Sequence, residues 1–216
     1  MEREQRSLVL PVDPLNPSVE AIEKAAQVLR QGGVLAYPTE TVYGLGVDPF
    51  REEALERLFH LKGRPREMPV SVLVRDEGMM REVAREIPPR ALALIKAFLP
   101  GPLTLVLPAQ PGLPARLTAG TGKIGVRISH HPLVESLFRL YSFPVTTTSA
   151  NPSGRAAART GAEVAAYFPV GLDCILDAGS VPGGVGSTVV DVTGDRPEIL
   201  REGVLSREEI GRVISL

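Results

Sequence analysis

The chain has 216 residues, with 24 Lys and Arg against 25 Asp and Glu for a net charge of −1, and is 44% hydrophobic and 23% charged. That balance is globular; it excludes a disordered tail, a low-complexity chain and a whole-molecule electrostatic footprint for nucleic acid, while leaving room for a local basic face. One cysteine, Cys174, excludes an internal disulfide framework and a Cys-based zinc site. No run reaches the roughly 18 apolar residues of a spanning helix, and the acid-containing N-terminus lacks a signal-peptide core, so a cytoplasmic protein with no membrane partner is expected.

Asn16-Pro17 suits the N-cap and first position of a helix in which Val19, Ile22, Ala25 and Leu29 recur at helical spacing until Gly32-Gly33. Residues 34–37 read as a buried strand, and 38–46 as a segment too polar and glycine-rich for a regular element. A helix follows over 51–61, with Leu55, Leu58 and Phe59 on one face, and then a loop, Lys62-Gly63-Arg64-Pro65-Arg66. Residues 70–74 read as a strand; Asp76 caps a short helix with Met79, Met80 and Val83; 91–99 is helical; 103–107 and 124–128 are strands. Pro132 opens a helix to Leu140, and 144–148 is a strand. Thr160 with Glu163 and Ser206 with Glu209 fit capping boxes for two further helices, and 174–176 and 188–192 are strands between them.

Helices and strands interleave without an internal repeat or a break in composition. The prediction is an α/β fold, one domain over 1–216 with its core at about 15–205, built on a twisted mixed sheet with flanking helices. The first dozen residues read as a loose arm or an edge strand.

Several motifs carry no chemistry. Gly120 to Gly125 satisfies the letters GxGxxG, but it follows a Pro-rich loop and leads into a strand, the reverse of the dinucleotide-binding context. No P-loop, nucleophile elbow or HExxH is present, and the adjacent His130-His131 diverge, so no metal ligand set is expected. Cys174 reads as a small core residue. Gly183 to Ser187 is open to two readings, a phosphate cradle or a flexible turn.

The informative feature is a set of polar loops, each at an end of a predicted strand. They are Pro38-Thr39-Glu40-Thr41, Lys62-Gly63-Arg64, Arg127, Thr146 to Asn151, Ser187-Thr188 and Leu200-Arg201-Glu202-Gly203. Ligands in open α/β folds collect at strand termini, and hydroxyls, an amide and several cations suit an anion rich in phosphate and carboxylate oxygens.

These segments also resemble a known family. GGVLAYPTETVYGLG (32–46), KGRP (62–65), PGPLTLVLP (100–108), GVRISHHP (125–132), TTSANPSG (147–154), GSTVVDV (186–192) and LREG (200–203) occur in the order found in YrdC/TsaC-type threonylcarbamoyl-AMP synthases. The family signature Lys-x-Arg followed by Ser-x-Asn stands here as Lys62-Gly63-Arg64 and Ser149-Ala150-Asn151. The resemblance implies a twisted α/β sheet with an open, positively lined cavity. It also implies the joining of L-threonine, bicarbonate and ATP into L-threonylcarbamoyl-adenylate with release of pyrophosphate, Mg2+ entering with the ATP. Partner transferases would then pass the group to a tRNA adenosine beside the anticodon. On that resemblance Lys62 and Arg64 are catalytic and bind ATP together with Ser149, Asn151 and Arg201, and Thr39, Thr41, Arg127, Thr147 and Ser187 bind threonine.

The sequence departs from the family pattern at Met68, Leu73, Lys123 and Ala156-Ala157-Ala158. A YciO-like paralog with another nucleotide-dependent activity is therefore one alternative. A module that binds double-stranded RNA or tRNA weakly through its basic loops is the other.

Overall fold

Residues 7–216 are described by a computed structural model. Amphipathic sequence sets the longer helices. In α1 (Val19–Arg30) Ile22, Ala25, Ala26 and Leu29 are buried, and in α6 (Pro132–Leu140) Leu133, Val134, Leu137 and Phe138 are buried; the two helices pack together. Short elements complete the helical set: α2 (Glu52–Lys62), α3 (Glu77–Val83), α4 (Pro89–Phe98), α5 (Ala115–Thr118), α7 (Gly161–Tyr167) and α8 (Arg207–Gly211).

The strands are β1 (Leu8–Pro11), β2 (Leu35–Tyr37), β3 (Gly44–Gly46), β4 (Ser71–Leu73), β5 (Leu103–Pro108), β6 (Lys123–Arg127), β7 (Val145–Ser149), β8 (Cys174–Asp177), β9 (Thr188–Asp191) and β10 (Glu198–Arg201). Among the described residues they form one ten-stranded sheet in the order β1-β8-β2-β3-β7-β4-β6-β5-β9-β10. Pairing is mixed: β1-β8, β2-β8, β4-β6 and β5-β9 run parallel and the other neighbours antiparallel. The expected α/β class and mixed sheet with flanking helices are what the chain adopts. β2 and the first three residues of β8 are buried and apolar, as expected of strands covered on both faces.

Five local expectations are corrected. The N-cap of α1 is Ser18, whose Oγ accepts from Ala21 N at 3.3 Å; Asn16 and Pro17 precede it in a turn anchored by Asp13. The glycine-rich stretch contains β3, whose glycines admit the Tyr37 ring: a Cβ on Gly46 would sit 2.7 Å from Tyr37 Cε1 and 2.5 Å from Val145 Cγ1. Lys62 is the last residue of α2 rather than a loop residue, and Gly63 ends the helix in the left-handed conformation at φ 57°. Arg201 lies on β10, not in a loop. One capping box is complete at Ser206 and Glu209; in the other, Thr160 caps Glu163 N, but the Glu163 carboxylate reaches past Thr160 to accept from Arg159 N at 2.6 Å. At the N-terminus, β1 is the expected edge strand, and the rest of the expected arm, residues 1–6, lies outside the described residues.

The sheet register prepares the site. Thr147 pairs with Ser71, Val126 with Val72, Gly125 with Val106 and Asp191 with Val106, so Thr147, Ser71, Gly125, Val106 and Asp191 form one row across five strands. Side chains alternate along each strand, which puts Thr104, Val189, Lys123 and Arg127 on the same face as this row.

Candidate active site

A cavity of about 560 Å3 lies over that face. Its floor is flat because Gly125 has no side chain; a Cβ there would come within 2.3 Å of Ser71 Oγ. Eight of the ten residues singled out in the sequence line it: Thr39, Thr41, Arg64, Arg127, Thr147, Ser149, Ser187 and Arg201. Lys62 and Asn151 stand behind its wall.

The Arg127 corner is fully buried. Arg127 Nε donates to Gly101 O at 3.1 Å, Nη2 donates to Glu40 Oε1 at 2.6 Å, and Nη1 and Nη2 both donate to Thr41 Oγ1 at 3.2 Å. Of the five guanidinium hydrogens, one on Nη1 is left for a ligand. Thr39 Oγ1 donates to Val42 O at 2.7 Å and accepts from the backbone N–H groups of Thr41 and Val42. The Thr41 hydroxyl hydrogen therefore goes to Thr39 Oγ1, 3.0 Å away. Both threonines line the cavity, and both hydroxyls already brace the loop and the guanidinium.

Lys62 is 3% exposed. Its Nζ donates to Ser149 O and, at 2.7 Å, to Asn151 O, while its own carbonyl accepts from Ser153 N at 2.8 Å. The end of α2 is thus buckled to the Ser149-Ala150-Asn151 turn. Burial, reinforced by the nearby Arg64 charge, pushes the ammonium down to about 7. A neutral amine still carries the two N–H groups these carbonyls need. Asn151 Nδ2 donates to Pro152 O at 2.9 Å and Arg155 O at 2.8 Å, and its buried Oδ1 has no partner. Such an orphaned acceptor is costly unless a ligand donor meets it.

Arg64 and Arg201 both line the cavity. Arg64 Nη2 donates to Pro69 O at 2.7 Å; Arg201 Nη2 donates to Ser187 O at 2.8 Å and Ser187 Oγ at 3.2 Å. Neither has a carboxylate partner among the described residues. Burial lowers the pKa of both, followed in effect by Arg201 for Arg64 and by Arg127 for Arg201. Two guanidiniums without carboxylate partners, Arg64 and Arg201, lining one hollow with the Glu40-paired Arg127 are stabilised by an anion.

Sequence reasoning missed Thr104, whose Oγ1 lies 2.8 Å from Ser187 Oγ, and Glu40, the carboxylate partner of Arg127, together with Ser129, whose hydroxyl donates to Glu40. Only the three-dimensional pairing of β5 with β9 exposes Thr104; Glu40 sat inside a motif already singled out. The departures from the family pattern also have places. Met68 lines the cavity mouth, Leu73 is a core residue, and Ala158 is buried with its carbonyl accepting from Tyr43 N. Lys123 lines the far end and pairs with Asp191 at 2.7 Å.

His131 caps α6, its Nδ1 accepting from Leu133 N at 3.3 Å, and Cys174 is buried in the core. Gly120 and Gly122 make the turn into β6. Among the described residues no group of three or more His, Cys, Asp or Glu is arranged to hold a metal ion, and no helix is long and apolar enough to cross a membrane. The carboxylates nearest the cavity, Glu40 and Asp191, are each taken up by a cation and a hydroxyl. The arrangement can bind a polyanion beside a small polar molecule and polarise it, without an obvious general base.

A family model named for Sua5, YciO and YrdC, and described as "Telomere recombination", matches residues 27–203. The threonylcarbamoyl-AMP synthase of Pyrococcus abyssi (strain GE5 / Orsay) is 41% identical over 193 residues, which cover 89% of this chain and 57% of that protein. The chain therefore spans under three-fifths of that curated relative. The crystal structure of P. abyssi Sua5 complexed with L-threonine superposes with a TM-score of 0.93 at 38% identity, over 97% of this chain and 61% of that one. The structure of E. coli YciO gives 0.86 at 27% identity, over 94% and 99%.

Proposed function

We propose, from the premise that the chain belongs to the Sua5/YciO/YrdC family, that it condenses L-threonine, bicarbonate and ATP into L-threonylcarbamoyl-adenylate and pyrophosphate. The observation that carries the reading is the convergence of Arg64, Arg201 and Arg127 with Thr147, Ser149 and Ser187 around one cavity.

In this reading the threonine amine first loses a proton and takes up the bicarbonate carbon, releasing water and leaving a carbamate. A carbamate oxygen then attacks the α-phosphorus in line, and pyrophosphate departs. Negative charge grows on the leaving group, where Arg64 and Arg201 stand ready without carboxylates to cancel them. Arg127 offers its free N–H to the threonine carboxylate, and Thr147 and Ser187 supply hydroxyls to the amino acid or its carbamate. Thr39 and Thr41 serve threonine binding by shaping that corner. Lys62 holds the Ser149 to Asn151 turn in place, so that the Ser149 hydroxyl serves phosphate or ribose groups and the unpartnered Asn151 Oδ1, an acceptor, takes a ribose hydroxyl. Catalysis is then chiefly positioning and electrostatics. Mg2+ is carried by the nucleotide, held by phosphates and water, because Glu40 and Asp191 are already engaged. The product would pass in the cytoplasm to transferase partners that modify a tRNA adenosine beside the anticodon.

The test is pyrophosphate release by the purified protein with substrates omitted singly. Release that needs threonine and bicarbonate together supports the reading, and release indifferent to threonine refutes it. The second outcome is the one a YciO-like nucleotide-dependent activity would give, a reading favoured by the match over 99% of the E. coli YciO chain.

A further inference from the structure

Glu40 stands between the two threonines of the 38–43 loop and has no part in the reaction just described. Its Oε1 accepts from Arg127 Nη2 at 2.6 Å and its Oε2 from the Ser129 hydroxyl at 2.5 Å; the Glu40 and Arg127 side chains are 8% and 5% exposed. Ser129 Oγ in turn accepts from His131 N at 3.2 Å, which joins the loop to the start of α6. On the outer side His130 Nδ1 lies 3.7 Å from Oε1. Burial alone would raise the Glu40 carboxyl, but Arg127 and Ser129 together hold it below its ordinary range, so it is ionised at neutral pH.

Two consequences follow for the cavity. The contact to Glu40 is the shortest of those that orient the guanidinium, and with the others it leaves one Nη1 hydrogen of this cavity-lining residue for a ligand. The Glu40 charge also cancels that of Arg127, whereas Arg64 and Arg201 keep theirs. A triphosphate is therefore drawn to the Arg64 and Arg201 side, and the Arg127 corner is kept for a molecule with one carboxylate.

We propose that Glu40 is a positioning residue for amino-acid recognition: paired with Arg127 and held by Ser129, it fixes one guanidinium N–H on the substrate carboxylate and keeps phosphate out of that corner. The proposal rests on the threonine-binding reading given above.

The experiment compares the wild-type protein with Glu40→Gln, Arg127→Lys and the double variant, reading threonine binding by calorimetry and KM for threonine and ATP separately. Glu40→Gln is expected to weaken threonine binding about 10-fold, to leave the ATP KM within about 2-fold, and to let inorganic phosphate compete with threonine. In the Arg127→Lys background the Glu40→Gln effect on threonine should vanish, because the residue it acts through is already altered. Should Glu40→Gln fail to fold, Ser129→Ala keeps the ion pair and is expected to weaken threonine binding about 3-fold with the ATP KM unmoved. Unchanged threonine binding in Glu40→Gln, or an effect that adds in full to that of Arg127→Lys, overturns the assignment of Glu40 alone. Absence of threonine binding by the wild-type protein overturns the functional reading and this proposal together.

Discussion

Lys62 shows how one residue changes meaning between sequence and structure. As part of a Lys-x-Arg motif it reads as a loop residue that grips ATP, yet its amine is buried and bound to Ser149 O and Asn151 O. Among the described residues Lys62 is the only hydrogen-bond donor to Asn151 O, so Lys62→Ala is expected to destabilise the fold by about 1–3 kcal/mol as well as to slow turnover strongly; denaturant unfolding and steady-state rates check both. The pH dependence has a definite sign. Burial lowers the folded pKa to about 7 from the ordinary 10.5, so between those values the unfolded chain holds a proton that the folded chain has released. Stability contributed by this group therefore rises with pH across that window and is flat below it, where both states are protonated. The stability difference between the wild-type protein and Lys62→Met should grow from neutral pH toward pH ~10, and a difference that shrinks would contradict the buried, deprotonating lysine. For Arg127→Lys the expectation is a threonine KM raised at least about 10-fold, because an ammonium cannot reach Gly101 O, Glu40, Thr41 and a ligand at once.

Among the elements, the β9–β10 hairpin matters most to the cavity. Gly203 packs against the backbone of the segment that carries Ser187; a Cβ there would lie 2.2 Å from Gly186 O and 2.5 Å from Ser187 C. Backbone cannot swing aside as a side-chain tip can. Gly203→Ala is expected to cost about 1–3 kcal/mol and to impair ATP use by displacing Ser187 and Arg201, seen as a raised ATP KM beside a lower denaturation midpoint. Ser206→Ala, which removes the cap of α8 outside the cavity lining, should cost about 1 kcal/mol with rates unchanged at temperatures where both proteins stay folded. The same elements show what was legible in advance. Strands such as 103–107 and 124–128 and helices such as 132–140 announce themselves by apolar runs, prolines and caps. β3 and β10 do not: one is three residues with two glycines, the other an exposed edge strand whose pattern matches a loop. β3 is held between β2 and the distant β7, and β10 only along β9, so each owes its strand character to its pairing rather than to its own residues.

Across the whole molecule the cavity is a product of topology. Residues far apart in the chain, from the 39–41 loop to Arg201, meet because β7, β4, β6, β5 and β9 lie side by side in an order unlike their sequence order. The polar segments could be picked out in the sequence, since hydroxyls, Arg and Gly cluster at strand ends. Their partners could not, because Glu40 with Arg127, Lys62 with the 149–151 turn and Thr104 with Ser187 are contacts between separate segments. Net charge was equally uninformative: a chain of −1 overall still gathers three guanidiniums around one hollow. The claim that this hollow assembles an amino acid, a one-carbon unit and a nucleotide is tested most directly by mass spectrometry of the product formed from ATP, threonine and isotopically labelled bicarbonate. The prediction is a single adenylate containing both threonine and the labelled carbon. AMP without that conjugate, or a threonine adenylate lacking the label, would contradict it.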